Sequence, residues 1–221
     1  MSSMRTLVPQ LLPGQRLTRD EFLCRWEALP ELKNAELIEG MVYMASSVSN
    51  RHGTFDSLIH GWLMVYVAAT HGCQTGNNVT WLMGESAPQP DSHLRILPEH
   101  GGQSRMEGQY CAGAPELIVE VCGSSATHDF GPKLALYQRA GVREYITLSL
   151  GPDEVVWRVL SEGRYAPLGP GSDGTLRSRV FPGLWLDPEA LLANDAARLL
   201  DRLRAGLESS EHAQFVESLK R

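Results

Sequence analysis

Residues 113–150 read GAPELIVEVCGSSATHDFGPKLALYQRAGVREYITLSL, and this stretch decides the fold. Its first apolar run, 117–121, has the length and the β-branched content of a buried strand. A Gly/Ser-rich turn follows, and then a helix that we expect to begin near Pro132 and to end at Gly141. A second apolar run, 144–148, comes at once. The stretch predicts a strand–helix–strand unit whose crossover should be right-handed.

Glu120 interrupts the first of these apolar runs. A charged group in a core strand is costly unless it is paired or bound to a metal ion. Lys133 and Tyr137 stand four residues apart on the predicted helix, so they share a face and could both point at Glu120. The alternative is a solvated lysine beside a tyrosine that is half in the core. Spacing alone leaves both interpretations open.

The composition is that of a globular protein. The chain has 221 residues, 43% of them hydrophobic and 21% charged, which fits one domain of ordinary size. A net charge of −6 argues against nonspecific coating of nucleic acid but permits a local basic groove. The N-terminal stretch lacks the apolar core of a secretory signal, and no apolar run is long enough to span a bilayer. Four scattered cysteines without a CxxC pair predict reduced thiols. We therefore expect a cytoplasmic protein without membrane attachment.

The rest of the chain predicts a mixed α/β fold, with a central mixed β-sheet flanked by helices and an added C-terminal helix. The expected elements, in chain order, are a helix after a Thr18–Glu21 capping box, a hairpin over Ala35–Ser46 that turns at Glu39-Gly40, a helix over 50–70, a turn at 76–78, strands at 79–83 and 92–97, a lid-like loop over 98–113, the unit described above, a hairpin over 154–168, a strand at 176–181, and a helical region that begins at Pro188, is capped by Asp187 and breaks near 206–210.

Asp91 is the second candidate for a functional carboxylate. Pro88 and Pro90 preset an extended backbone, and Asp91 then stands at the mouth of a strand. Two carboxylates that enter from adjacent strands can hold Mg²⁺ or Mn²⁺, and a nearby lysine can activate water or stabilise charge on a phosphate. Asp91, Glu120 and Lys133 would together equip a metal-dependent phosphodiesterase. The alternative is that Asp91 is a turn residue and Glu120 a salt-bridged strand end.

Glu36 and His52 are second-rank candidates, as is Tyr137. Glu36 precedes the apolar strand of the hairpin and could be a third acid at the metal. His52 opens the second helix after a polar loop and could face the site, or it could be an ordinary surface histidine at a helix start.

Other chemistries fit the sequence less well. The histidines show no HxH or HExxH spacing for zinc. Gly123-Ser124-Ser125 lacks the G-x-S-x-G pattern of a nucleophile elbow, and Cys122 has no obvious histidine partner. There is no Walker A and no GxGxxG motif.

Several motifs occur together in one order. They are AELIEG in the hairpin, His52 at a helix start, Pro90-Asp91, APELIVEV followed by a Ser-rich turn, Asp129, Lys133 and Tyr137, AGVREY, and the late FPGLWLD. Together they resemble the large bacterial Uma-type family of restriction endonucleases, which belongs to the PD-(D/E)XK nuclease superfamily. The resemblance covers residues 18–192.

The resemblance implies a restriction-endonuclease-like nuclease domain over 18–192, an irregular lead-in over 1–17 and a C-terminal helical extension over 193–221. Asp91, Glu120 and the backbone carbonyl of Cys122 would bind the metal ion.

The superfamily places its lysine two residues after the second acid, where this chain has Cys122. Family members commonly offer a helix lysine instead, which corresponds to Lys133. The substrate would be DNA, and a homodimer or higher homo-oligomer is expected because cutting both strands usually pairs two active sites.

Two features depart from the family pattern. An acidic residue expected near the end of the second strand is replaced by Ser149, and the strand after Asp91 reads SHLRI rather than a purely aliphatic run.

The candidate residues and the resemblance together predict a Mg²⁺-dependent DNA endonuclease. Two alternatives remain, a catalytically silent DNA- or protein-binding module with the same fold and a phosphoesterase that acts on small nucleotides.

Overall fold

The computed structural model describes residues 9–32, 34–44, 48–123 and 130–220, and a six-stranded mixed sheet forms its centre. The strands, in chain order, are β1 (Ala35–Ile38), β2 (Met41–Met44), β3 (Cys73–Asn77), β4 (Trp81–Leu82), β5 (Ser92–Ile96), β6 (Arg105–Glu107), β7 (Tyr110–Ala112), β8 (Leu117–Cys122), β9 (Glu144–Leu150), β10 (Asp153–Ser161), β11 (Arg164–Pro167), β12 (Leu176–Arg177) and β13 (Trp185–Leu186). The helices are α1 (Arg19–Glu27), α2 (Asn50–Ala69), α3 (Phe130–Ala140), α4 (Pro188–Leu192), α5 (Ala196–Leu207) and α6 (Ser210–Ser218), with a short 3₁₀ helix at Pro98–His100.

The predicted strand–helix–strand unit is confirmed as β8–α3–β9. In the central sheet the strand order is β11-β10-β9-β8-β5-β3, and β8 and β9 are the one parallel pair among these described strands. Gly141 ends α3 with a φ of 86°, a left-handed conformation that suits glycine. The mixed α/β fold expected from the sequence is therefore the observed one.

The two faces of the sheet are covered by different helices. On one face, alternate residues of β5, β8 and β9 pack under α2 and α5, where Trp62 and Trp157 meet edge to face. On the other face, Ile118 of β8 and Tyr145 of β9 pack against Tyr137 of α3. Because side chains alternate along a strand, Glu120 shares a face with Ile118 and points toward α3.

The local signals at α1 and at the first hairpin are largely borne out. The Thr18 side chain caps α1 by accepting a hydrogen bond from the Glu21 backbone N–H at 3.3 Å. The Glu21 carboxylate pairs with Arg25, so the reciprocal half of the capping box is replaced by an ion pair. The hairpin β1–β2 turns at Glu39-Gly40, where both residues have positive φ, and residues 45 and 46 of its predicted extent lie outside the described residues.

The prediction of a lid-like loop over residues 98–113 is wrong. This segment contains the 3₁₀ helix and the antiparallel pair β6–β7, which forms a three-stranded sheet with β4. The buried Glu116 carboxylate accepts hydrogen bonds from the backbone N–H groups of Ile96 and Gln103, both at 2.9 Å. These bonds fix the start of the segment to the central sheet, which a reading of local composition could not detect.

The predicted turn at residues 76–78 is also wrong over its first two residues. Gly76 and Asn77 belong to β3, which pairs with β5 at the edge of the central sheet. A Cβ atom at Gly76 would lie 2.6 Å from the His93 ring, so glycine is needed there for close approach. The strands predicted at 79–83 and 176–181 are shorter than expected, as β4 and β12.

The C-terminal region forms three helices instead of one interrupted helix. The break near 206–210 is confirmed, and Asp187 caps α4 as expected, with its carboxylate accepting from the Ala190 N–H at 2.9 Å. A further break lies at Asn194, whose φ is 54°. Within the described part of the chain, no helix is both long and apolar enough to cross a membrane.

Candidate active site

Asp91 and Glu120 meet where β5 begins beside β8. The antiparallel register pairs Ser92 with Val119, so Asp91, one residue earlier, lies opposite Glu120. The Asp91 Oδ2 atom accepts a hydrogen bond from the backbone N–H of Val121 at 2.7 Å. The aspartate side chain thus continues the pairing where the main-chain ladder stops. Since directly opposed residues share a face of the sheet, the two carboxylates lie side by side.

Lys133 and Tyr137 of α3 both reach Glu120. The Lys133 Nζ atom donates to Glu120 Oε1 at 3.0 Å, and the Tyr137 hydroxyl donates to the same oxygen at 2.7 Å. The two side chains lie one helical turn apart on the face of α3 that packs against the sheet. No described residue donates to Glu120 Oε2. The structure thus favours the paired interpretation of Lys133 over the solvated one.

Glu36 of β1 brings a third carboxylate to the same lysine. Its Oε1 atom lies 2.9 Å from Lys133 Nζ and accepts a hydrogen bond from the backbone N–H of Gln89 at 2.6 Å. The first hairpin is therefore tied to the segment that leads into Asp91. Glu39, in the turn of the same hairpin, pairs with Arg139 at an exposed position instead.

His52 approaches Asp91 from the opposite layer. Its Nε2 atom lies 3.7 Å from Asp91 Oδ2, and its Nδ1 atom is buried without a hydrogen-bond partner among the residues described. Asp56 follows one helical turn later on α2, and both of its carboxylate oxygens accept from the side-chain amide of Asn77, at 3.0 and 3.1 Å. Asp56 was missed in the sequence, although its spacing of four residues from His52 was a visible signal.

Burial and nearby negative charges raise the pKa of both carboxyl groups, with Asp56 and Glu36 acting on Asp91. Burial raises the pKa of Asp91 to about 6, while the Val121 N–H and Lys133 act in the opposite direction. Burial likewise raises the pKa of Glu120 to about 7, opposed by Lys133 and reinforced by the negative charges of Asp91 and Glu36. Two largely buried carboxyl groups whose pKa values are both raised above the ordinary range form a site where a cation is favoured.

Lys133 keeps its charge in this setting. Burial alone would lower the pKa of its ammonium, but the neighbouring Glu120 and Glu36 carboxylates raise it well above the ordinary value. Its side chain is 18% exposed, so the lysine lies at the edge of the buried site. An ammonium has three N–H donors, and the two glutamates use two of them.

Cys122 does not provide a reactive thiolate. Burial and the nearby carboxylates raise the pKa of its thiol, which lies 3.6 Å from the backbone oxygen of Glu120. Its neighbour across the sheet is Ser149, the position where an acid was expected. Of the other residues considered from the sequence, Ser124, Ser125 and Asp129 lie outside the described residues.

The donor set fits a hard divalent cation. Each of the two carboxylates has one oxygen, Asp91 Oδ1 and Glu120 Oε2, that receives no hydrogen bond from any described residue. Among residues 9–32, 34–44, 48–123 and 130–220, no cluster of three or more His, Cys, Asp or Glu side chains is arranged to hold a metal ion. Mg²⁺ is commonly held by one or two carboxylates, with water and substrate phosphate as its remaining ligands. A pair of acids beside a free lysine donor meets that requirement.

Comparison with known proteins identifies the family and a similar fold. The Uma2 family model, described as "Putative restriction endonuclease", matches residues 19–189. A solved structure from Anabaena variabilis, described as "a putative nuclease belonging to DUF820", is similar with a TM-score of 0.61 and 18% identity. The similarity covers 80% of this chain and 98% of that one, and at this identity it concerns the fold. No curated protein matches the chain.

The fold and the match over most of the chain place the protein in a class of nuclease-like α/β domains. The chain belongs to the Uma2 restriction endonuclease family.

Proposed function

We propose that this protein is a metal-dependent endonuclease that hydrolyses phosphodiester bonds of DNA. The observation that carries the proposal is the convergence of Asp91 and Glu120 at one point of the sheet, with Lys133 donating to Glu120 at 3.0 Å. Asp91, Glu120 and the backbone carbonyl of Cys122 would hold Mg²⁺ or Mn²⁺. The bound ion would neutralise charge on the phosphate and acidify a water molecule.

Lys133 is the residue of the chain that would act on the attacking water. Its ammonium is fixed by Glu36 at 2.9 Å and by Glu120 at 3.0 Å, which leaves one N–H for a water molecule or a phosphate oxygen. A fixed, charged donor aimed at a developing negative charge stabilises it more than a mobile one. The helix lysine thus supplies what Cys122 cannot.

The remaining polar side chains would position Asp91, Glu120 and Lys133. Tyr137 donates to Glu120 Oε1 at 2.7 Å, so Oε2 would remain free to bind the proposed ion. His52 stands 3.7 Å from Asp91 and would orient that carboxylate from the α2 side. Glu36 anchors the lysine. A homodimer would supply two such sites for cutting both strands.

The alternative is a catalytically silent DNA- or protein-binding module with the same fold. The observation that favours it is the Lys133 ammonium itself, which already offsets the charge of Glu36 and Glu120 without a metal ion. In that case the ion pairs of Lys133 with Glu36 and Glu120 would serve only to link α3 to β1 and β8.

Cleavage assays separate the candidates. The purified protein is incubated with supercoiled plasmid, with single-stranded DNA and with a model phosphodiester, in Mg²⁺, in Mn²⁺ and in EDTA. The endonuclease proposal predicts metal-dependent cleavage of DNA that Glu120→Gln abolishes. Turnover of the model diester without plasmid cleavage would favour a small-nucleotide phosphoesterase, and no turnover of any substrate would favour the silent module.

A further inference from the structure

Arg158 of β10 lies on the sheet face that carries Glu120, one strand beyond β9. The register pairs Glu120 with Thr147 and Thr147 with Val156, so these positions form one row across β8, β9 and β10. Arg158 is two residues from Val156 and thus on the same face. Its guanidinium turns back to this row and donates to Thr147 Oγ1 at 2.9 Å. Thr147 is the direct neighbour of Glu120 on the adjacent strand, and adjacent strands are about 5 Å apart. The guanidinium therefore lies about one strand away from Glu120.

This arginine forms no ion pair with any acid of the described residues, unlike Lys133. Lys133 has its charge offset by two glutamates. Arg158 instead contacts a neutral hydroxyl and the Tyr145 ring, whose centroid is 5.9 Å from its Cζ atom. A half-buried guanidinium keeps most of its five N–H donors for an outside acceptor. Its planar fork matches the geometry of a phosphate group.

A second observation points to a ligand on the same side. The Tyr145 side chain is fully buried, and its hydroxyl has no hydrogen-bond partner among the described residues. The ring is packed between Tyr137, which donates to Glu120, and Arg158. A buried hydroxyl without an acceptor is unfavourable. An anion held by Arg158, or a water molecule bound to that anion, would supply the acceptor.

The negative charge of the chain makes a cationic side chain such as Arg158 important for binding nucleic acid. The net charge is −6, and the proposed site is lined by the carboxylates of Glu36, Asp91 and Glu120. Such a surface repels nucleic acid unless a cation beside the carboxylates compensates locally. Since Lys133 is engaged by the glutamates, a second cationic side chain beside the site would add to the compensation that the proposed metal ion supplies.

We propose that Arg158, oriented by Thr147, binds a backbone phosphate of the DNA strand next to the scissile phosphate and so positions the substrate along the β9–β10 side of the site. The inference rests on the proposed function for the nature of the substrate. Arg158 is a positioning residue here, because it contacts a phosphate that does not react.

The test compares Arg158→Gln with Arg164→Gln, which removes the same charge from an exposed position on β11. Binding of a short fluorescein-labelled DNA duplex is followed by fluorescence anisotropy over a series of salt concentrations, in a Glu120→Gln background so that the DNA stays intact. We expect Arg158→Gln to weaken binding by about tenfold and to reduce the slope of log K against log salt by about one, as for the loss of one phosphate contact. Arg164→Gln should leave the slope nearly unchanged.

Two further variants protect the test against a folding defect. Arg158→Lys keeps the charge and should restore the salt slope while recovering only part of the affinity, because an ammonium lacks the bidentate fork. Thr147→Val keeps the shape of the side chain and should weaken binding in the same direction as Arg158→Gln. Thermal unfolding of each variant shows whether the fold is intact.

The outcomes separate this inference from the proposed function. If the wild type does not cleave DNA but Arg158→Gln selectively weakens binding, hydrolysis is rejected and the phosphate contact stands. If the wild type cleaves DNA and Arg158→Gln matches Arg164→Gln in affinity, salt slope and KM, the phosphate contact is rejected and the nuclease stands. Absence of DNA binding by the wild type at low salt would overturn the inference outright. In an active enzyme, Arg158→Gln should raise KM with little change in kcat.

Discussion

The Lys133 ammonium on α3 lies 3.0 Å from the Glu120 carboxylate on β8, and this pair joins the two halves of the strand–helix–strand unit at the proposed catalytic point. The same ammonium lies 2.9 Å from Glu36 of the first hairpin. One side chain therefore links α3, β8 and β1. Both the chemistry and the stability of the site should depend on it.

Replacement of this lysine tests that dependence. Lys133→Met should lower the free energy of unfolding by about 1–3 kcal/mol, because the buried Glu120 and the half-buried Glu36 lose a charged partner. It should also reduce DNA cleavage by about a hundredfold or more, as expected when a preorganised donor is removed. Denaturant unfolding and initial rates measure the two effects. Lys220→Met is the control, since its partner Glu217 is exposed and the pair should contribute little. A Lys133→Met variant that cleaves at the wild-type rate would remove the lysine from the mechanism.

Tyr137 and Tyr145 form a matched pair of buried tyrosines. The Tyr137 hydroxyl donates to Glu120, whereas the Tyr145 hydroxyl has no hydrogen-bond partner in the part of the chain that the structure describes. Tyr137→Phe should therefore cost about 1.5–3 kcal/mol of stability, the usual range for a hydrogen bond to a charged group. Tyr145→Phe, measured without DNA, should change stability by less than about 0.5 kcal/mol, because it deletes a hydroxyl that forms no hydrogen bond with any described residue. Equal losses in urea denaturation would contradict this assignment of the two hydroxyls.

Gly76 tests the close packing of the edge strand β3, and Gly61 in α2 is the control. Gly76→Ala should destabilise the protein by about 1–3 kcal/mol, since the new Cβ would meet the His93 ring at 2.6 Å. Gly61→Ala lies in the middle of α2 with no atom within 4 Å of the new Cβ, and it should stabilise by about 0.5–1 kcal/mol. Thermal unfolding compares the two. A neutral Gly76→Ala would mean that β3 does not approach His93 this closely.

The burial of His212 leads us to expect that stability depends on pH. It is buried between the Leu207 carbonyl oxygen, which lies 3.0 Å from Nδ1, and Thr70 Oγ1, which lies 2.9 Å from Nε2. Burial lowers its pKa in the folded state. The unfolded chain therefore binds the proton first, and stability that is present above the unfolded pKa of about 6.5 is lost as the pH falls below it.

The measurement is the free energy of unfolding of the wild type and of His212→Asn between neutral and mildly acidic pH. The wild type should lose stability more steeply, by up to about 1.4 kcal/mol per pH unit for the one proton involved. The variant is less stable at neutral pH, and the gap should narrow on acidification. A gap that stays constant would show that His212 does not titrate differently in the two states.

Much of the fold could be predicted because its signals are local. The apolar run of β8, the glycine at 141 and the second apolar run of β9 follow directly from length, composition and chain breakers. The same holds for the Glu39-Gly40 turn and for α2. Asp91, Glu120 and Lys133 could be named as candidates from the sequence because a charge in a core strand and an aspartate after two prolines are unusual in themselves, and the structure brings the three into contact range around β8.

The missed features depend on contacts between distant residues. The strand β3 contains Gly76 and Asn77, which read locally as turn residues, and it forms because it can pair with β5. The segment 98–113 reads as a loop, yet it is held by the Glu116 carboxylate. Asp56 looks like an ordinary helix-surface acid, and its role in the site comes only from the packing of α2 beside β3.

The most direct measurement is a calorimetric titration of Mn²⁺ and Mg²⁺ into the protein and into Asp91→Asn, Glu120→Gln and Glu39→Gln. The first two variants each remove one proposed ligand charge, and Glu39→Gln removes the same charge from the exposed pair with Arg139. The account predicts saturable binding to the wild type and to Glu39→Gln, and its loss in Asp91→Asn and in Glu120→Gln. No binding to the wild type, or equal binding to all four proteins, would contradict it.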